Sequence, residues 1–303
     1  MLDARGAAVP ASQGVDAFTI DVEDWFHILD VESTPPLERW ATLPSRVEKN
    51  FHVILELLAE HGVRATCFFL GWIAERYPHL VHAASKAGHE IASHGYAHEL
   101  IFKQTEAAFF EDVRKAKGLL EDVSGRPVLG YRAPGFSIVK ETPWALERLA
   151  VAGYRYDTSV FPGVRGHGGL PGAPLTPTRV ETPSGQIVEF PISMAEIAGR
   201  RLCVFGGGYL RLFPYNVISA MTRRAHSEGR SIVFYVHPRE IDPEQPRLPM
   251  SWRRRFKSYV NIRGTEAKLR RLVTDFQFKP LCEFLEAAPG GRTTHPPHAG
   301  SAV

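Results

Sequence analysis

Short apolar runs alternate with amphipathic stretches along most of this 303-residue chain, and that alternation limits the folds open to it. Residues 65–70 (Ala-Thr-Cys-Phe-Phe-Leu) and 231–236 (Ser-Ile-Val-Phe-Tyr-Val) are continuous apolar runs of strand length, as a sheet buried on both faces requires. Residues 17–20, 89–92 and 128–131 read as further strands. Between them, Val47, Phe51, Ile54, Leu55 and Leu58 mark one helical face, with Gly62 as its stop. A second helix spans residues 78–87 with Gly88 as its C-cap, and a third carries Phe109, Val113, Ala116, Leu120 and Val123 and stops at Gly125. Thr142-Pro143 reads as an N-cap followed by proline in the first turn of a helix ending at Gly153. Residues 214–228 and a segment with Leu269, Leu272, Val273 and Phe276 on one face are the last helices, and residues 281–285 read as a final strand. Strands and helices alternating at this spacing predict a parallel sheet, open or closed.

Two segments break the rhythm. Residues 162–185 are rich in proline and glycine and read as an irregular excursion or a hairpin insertion, after which residues 186–192 resume strand character. Residues 1–16 read as a flexible lead-in, and the tail from Ala287 reads as disordered, its His295 and His298 incidental.

A hydrophobic content of 44% with 23% charged residues is ordinary for a soluble globular protein, and the net charge of +3 is too mild to argue for nucleic acid. One run, Arg253-Arg254-Arg255 with Lys257, is locally basic; a solvated face is the plain reading and a polyanion or phosphate contact the sharper one. Cys67, Cys203 and Cys282 lie far apart, and their odd number argues against a disulfide framework. Residues 1–14 contain no apolar signal core, and no stretch nears the roughly 18 apolar residues of a membrane span, so a cytoplasmic location is the default expectation. Gly206-Gly207-Gly208-Tyr209 lacks the spacings of nucleotide-binding loops.

The polar residues carry the functional signal. His94 and His98 are four apart, so both imidazoles can reach one cation. Asp21-Val22-Glu23-Asp24 sets three carboxylates just past a buried strand, where they are costly unless paired, metal-bound or capping the next helix. Asp21, His94, Arg132, Asp157 and His237 each fall at the C-terminal end of an expected strand, and in a βα barrel those ends share one rim.

In that order the motifs Thr19-Ile20-Asp21…Glu23-Asp24, Ser93-His94-x-x-x-His98, Arg132-x-Pro134, Asp157 and Val236-His237 resemble those of polysaccharide deacetylases, the NodB homology domain of carbohydrate esterase family 4. Asp-Val-Glu-Asp-Trp-Phe-His, Gly-Gly-Gly-Tyr-Leu-Arg and His-Pro-x-Glu-Ile-Asp-Pro resemble the branch associated with exosortase systems and exopolysaccharide biosynthesis. The resemblance implies an α/β fold, a distorted, incomplete (β/α) barrel of the NodB homology type, over residues 17–286. It implies a divalent metal ion, zinc first among the candidates, and removal of N-acetyl groups from the sugar units of an oligo- or polysaccharide.

Amide hydrolysis needs activated water, an oxyanion donor and an acid for the departing amine. The resemblance assigns Asp21 as base, Arg132 as its partner, the Gly135 N–H as oxyanion donor, His237 as acid and Asp157 as the group that orients or charge-tunes His237. His94, His98 and a carboxylate would hold the metal. That carboxylate is Glu23 or Asp24, because the first motif lacks adjacent aspartates. Residues two apart on an extended chain share a side, which favours Glu23 beside Asp21, while a bulge would favour Asp24. Bland readings stand beside these: a structural ion pair for Arg132, a strand-end cap for Asp157, a satisfied core histidine for His237. Trp25, Trp144 and Tyr209 are stacking faces or plain packing. Gly135 replaces a tyrosine common in the family, and Arg239 stands where the branch often has tryptophan. The rival readings are a C–N hydrolase for a small amide, of the allantoinase type, and a silent carbohydrate-binding module; the complete polar set argues against the latter.

Overall fold

The computed structural model describes residues 14–164 and 169–286. Its organising strand is β1 (Val15–Val22), buried along all but its first residue. The chain continues through α1 (Leu37–Trp40), α2 (Val47–Glu60), β2 (Thr66–Phe69), α3 (Gly71–Arg76), α4 (Pro78–Lys86), β3 (Glu90–Ser93), α5 (Glu106–Ser124) and β4 (Gly130–Tyr131). Next come α6 (Ala145–Val151), β5 (Tyr156–Asp157), β6 (Thr178–Thr182), β7 (Gly185–Glu189), β8 (Ala195–Ile197) and β9 (Arg200–Leu202). The last part holds α7 (Gly207–Leu212), α8 (Tyr215–Ser227), β10 (Val233–Val236), α9 (Trp252–Tyr259), α10 (Thr265–Asp275), β11 (Gln277–Lys279) and α11 (Cys282–Glu286).

The main sheet runs β10-β1-β2-β3-β4-β5-β7-β6, with β11 also pairing β1. Every pair is parallel except β6 with β7, which form an antiparallel hairpin at the edge. Among the described residues the sheet does not close on itself: the alternation predicted a parallel sheet, open or closed, and the resemblance an incomplete barrel. The apolar runs are continuous because both faces are covered. One face packs on the helices, through Phe51, Ile54, Leu58, Phe109, Leu149 and Leu272 among others. The other face packs Phe68, Ala92, Tyr156 and Phe190 against Leu281 and Phe284.

Register decides what meets at the rim. Ile20 pairs with Val236, so Asp21 and His237 follow side by side. Phe69 pairs with Ser93 and Ser93 with Tyr131, so His94 and Arg132 leave their strands at one level. Tyr131 pairs with Asp157 and Asp157 with Glu189, which sets two carboxyls next to each other.

Several expectations need correction. Residues 281–285 do not form the last strand: the strand is β11, which starts four residues earlier, and Pro280 ends it by lacking an N–H. The apolar Leu281 and Phe284 instead plug the sheet from α11 and the turn before it. β1 starts at Val15, two residues inside the stretch read as lead-in, because buried Asp16 is satisfied by the Ile232 N–H at 2.9 Å and by His226 Nε2 at 2.9 Å. Thr142 does not cap a helix starting at residue 143; its hydroxyl bonds the Val139 backbone, and α6 starts at Ala145. The rest of the lead-in, residues 1–13, and the tail 287–303 with His295 and His298 lie outside the described residues. No helix among the described residues is long and apolar enough to cross a membrane.

Candidate active site

At the C-terminal rim of the sheet, Glu23 Oε1 lies 3.1 Å from His94 Nε2 and 3.0 Å from His98 Nε2. All three are buried, at 4%, 1% and 6% exposure. The loop that carries the histidines is fixed from two sides. The Tyr96 N–H donates to Asp112 Oδ2 on α5 at 3.0 Å, and Gly95, at φ +73°, leaves no room for a Cβ, which would stand 2.8 Å from the same oxygen.

His94 Nδ1 lies 2.7 Å from the Arg132 carbonyl oxygen, to which it donates, leaving Nε2 with its lone pair toward Glu23. His98 Nε2 is buried and makes no hydrogen bond of its own. Burial holds the His98 pKa below its ordinary value, so the ring is neutral. Burial alone would raise the Glu23 pKa, but the imidazoles of His98, His237 and His94 outweigh it and hold the carboxyl well below the usual range. Two imidazoles and a carboxylate, with atoms within 4.8 Å of one another, are a donor set that suits a divalent cation.

Asp21 sits beside this group. Arg132 Nη1 donates to Asp21 Oδ1 at 2.6 Å and to Thr19 Oγ1 at 2.8 Å, and both Arg132 and Asp21 are buried. The guanidinium lies on the Phe68 ring, 4.2 Å from its centre. His237 Nε2 faces Asp21 Oδ2 at 3.8 Å and Glu23 Oε1 at 3.7 Å. The two acids and His237 also offer atoms within 4.8 Å of one another.

Asp24 turns away. It accepts from the Trp25 N–H (2.8 Å), Ser45 Oγ (2.6 Å) and the Arg46 and Val47 N–H groups, so it caps the first turn of α2. Asp157 also stands off His237. Its oxygens accept from the Ser159 N–H and hydroxyl at 2.9 and 2.6 Å, and the same hydroxyl accepts from the Ala133 N–H. Burial and the neighbouring Asp157 push the Glu189 pKa well up, so one proton is held between these two acids beneath Arg132.

The carboxylate that faces His237 is Glu240, which the sequence reading missed. Its Oε2 lies 3.3 Å from His237 Nδ1 and accepts the His237 N–H at 3.0 Å, while Arg211 Nε donates to Oε1 at 3.3 Å. Burial would raise the Glu240 pKa, yet His237 and Arg211 hold it down to about 2. Burial likewise would lower that of His237, but Glu23, Glu240 and Asp21 together raise it. The signal was the i, i+3 spacing of His237 and Glu240 across Pro238, the pattern of a capping box, which forms here. The triple glycine belongs to the same arrangement: a Cβ at Gly207 would fall 1.6 Å from Glu240 Oε2, and one at Gly206 would enter the Tyr235 ring.

These groups open into a cavity of about 350 Å³ lined also by His27, Gly135, Phe136, Tyr209 and Tyr235. Gly135 sits at φ +62°, on the turn after Arg132. His27 Nδ1 accepts the Asp24 N–H at 3.0 Å, so the hydrogen of the neutral ring is on Nε2. Of the aromatic residues read as stacking faces or packing, Tyr209 lines the cavity. Trp25 is core, its Nε1 bonded to Pro44, and Trp144 packs on Phe109.

Comparison with known proteins agrees with this arrangement. Residues 41–156 match the family model described as polysaccharide deacetylase, and residues 158–286 match a domain of unknown function, DUF3473. A peptidoglycan-N-acetylglucosamine deacetylase of Bacillus cereus is 31% identical over 113 residues, 37% of this chain and 41% of that protein. The chain thus spans less than half the length of that relative. A protein from Mycobacterium smegmatis described as a polysaccharide deacetylase has the same fold, with a TM-score of 0.64 and 22% identity over 97% of this chain and 98% of that one. Puue allantoinase shares the fold too, with a TM-score of 0.60 and 16% identity over 95% of this chain and 96% of that one. The polysaccharide deacetylase match over residues 41–156 points to the same family that the ordered motifs resemble. The two matched segments divide the sequence but not the sheet, since β7, β6, β10 and β11 complete the sheet begun by β1 to β5.

Proposed function

We propose that the chain is a metal-dependent N-deacetylase that removes acetyl groups from N-acetylated sugar units of a polysaccharide or its precursor, acting as one domain over residues 17–286. The observation that carries this reading is the convergence of Glu23, His94 and His98 beside the Arg132-held carboxylate of Asp21. A divalent ion held by Glu23, His94 and His98 would supply Lewis-acid activation of water and of the amide carbonyl. Zinc is the first candidate on the donor set.

In this reading Asp21 takes the proton of the attacking water. Arg132 aims that carboxylate, because a buried charge pair with good geometry holds its orientation. The amide N–H of Gly135 serves the developing oxyanion from the opposite side of the cavity. His237, charged through Glu240, delivers a proton to the departing amine, so the C–N bond breaks to give acetate and a free amine. Asp157 and Glu189 support the reaction from below Arg132 and do not touch the reacting atoms. Phe136, Tyr209 and Tyr235 give the cavity apolar faces suited to sugar rings.

The test is acetate release from a panel of N-acetyl oligosaccharides, with elemental analysis of the purified protein. Acetate produced in step with metal content supports the reading. Ring opening of a small cyclic amide such as allantoin to its ureido acid, with no acetate from any sugar, would replace it with the small-amide hydrolase.

A further inference from the structure

The basic run on α9 and Arg239 remain unexplained by deacetylation itself, and both face the same cavity. Three carboxylates line it: Asp21, Glu23 and Glu240. Each is already matched, by Arg132, by the two histidines, and by Arg211 with His237. The further cationic groups on the wall are Arg239 on the turn after β10, Lys257 on α9, and Arg254 on α9, which already donates to the Leu29 carbonyl. Arg254 and Lys257 are three apart on the helix and therefore share a side, while Arg253 lies against the exposed Trp252 instead.

Arg239 is the informative member. Its Nε and Nη1 are buried and make no hydrogen bond among the described residues. Keeping a guanidinium partly desolvated and unmatched is costly unless something else completes it. The side chain follows His237 by two residues, so its charge stands where the sugar carrying the acetamide, or the next one, would lie.

We propose that Arg239, with Lys257 and Arg254, binds a negatively charged substituent of the substrate, a carboxylate or a phosphate, so that the glycan deacetylated here is anionic. This rests on the deacetylase reading for the identity of the ligand as a glycan. A planar guanidinium fork suits bidentate contact with either oxyanion, and no neutral sugar hydroxyl matches its charge.

The test is calorimetric binding to the metal-loaded protein of three probes: hyaluronan tetrasaccharide, which carries carboxylates, UDP-N-acetylglucosamine, which carries phosphates, and neutral chitotetraose. At least one anionic probe is expected to bind about tenfold or more tightly than chitotetraose, with the preference shrinking as salt is raised. Arg239→Met should remove most of that preference, and Arg239→Lys should keep part of it. Preference for the hyaluronan probe alone identifies a carboxylate; preference for the nucleotide sugar alone identifies a phosphate. Equal binding of all three by the wild type, or a preference untouched by Arg239→Met and by Lys257→Met, overturns the assignment. Acetate release from chitotetraose with no anion preference sinks this inference alone. An Arg239-dependent preference with no acetate release from any sugar sinks the deacetylase reading and leaves the anion site standing.

Discussion

His237 is held between two carboxylate environments: its Nδ1 lies 3.3 Å from Glu240 Oε2, and its Nε2 turns to Asp21 at 3.8 Å. The first contact sets the charge of the ring and the second sets its direction. Glu240 therefore acts with Glu23 and Asp21 in keeping the imidazole protonated to higher pH.

Glu240→Gln should move the basic limb of the pH–rate profile to lower pH. The sign follows from the raised His237 pKa: removing one of the negative charges that raise it lets the proton leave earlier. Gly207→Ala should act in the same direction, because the new methyl would displace the same carboxylate. An unshifted limb in both variants would mean that His237 is not the titrating acid.

Asp21→Asn should retain bound metal while turnover falls about 10²–10⁴-fold, the usual size of a general-base contribution. The amide keeps the shape of the side chain but cannot take a proton. Metal content by elemental analysis and kcat from acetate release decide the matter; near wild-type kcat would remove Asp21 from the chemistry.

Glu23→Gln and Asp24→Asn should separate cleanly. Glu23→Gln is expected to weaken metal binding strongly, as should His94→Ala and His98→Ala. Asp24→Asn should leave metal affinity near wild type and instead lower stability by about 1–2 kcal/mol, since its oxygens cap α2 and hold Ser45. Competition with a chromogenic chelator and thermal unfolding, run side by side, read both effects.

Asp112 should leave a trace in stability against pH. Burial raises its pKa from 3.8 to about 6, so the folded state binds its proton more tightly than the unfolded chain. The stabilising contribution is complete below the unfolded pKa and is lost as pH rises toward about 6. Between those limits the wild type should lose on the order of 2–3 kcal/mol that Asp112→Asn does not lose. Parallel unfolding curves for the two proteins over this range would contradict it.

The strands were legible because a sheet covered on both faces writes continuous apolar runs, as at 65–70 and 231–236. The rim was legible because polar residues at the ends of such runs, Asp21, His94, Arg132 and His237, have few other reasons to be there. Strand alternation also placed Asp21 and Glu23 on one side, and both meet the cavity while Asp24 turns to α2. What escaped was irregular or exposed. The β8–β9 hairpin shows Glu196, Ile197 and Arg200 to solvent and has no apolar rhythm. α9 buries only Ser258 and Tyr259, so its basic run offered no apolar face from which a helix could be read. Asp157 was assigned to His237 because strand-end position says which rim a residue joins but not which neighbour it faces. The register sets it beside Glu189 instead.

Residue 132 serves both halves of the site, with its carbonyl on His94 and its guanidinium on Asp21. A displacement of the backbone at 132 would therefore disturb the His94 ring and the Asp21 carboxylate together rather than one at a time. For anyone reshaping this cavity, the backbone at 132 is the coordinate to leave alone.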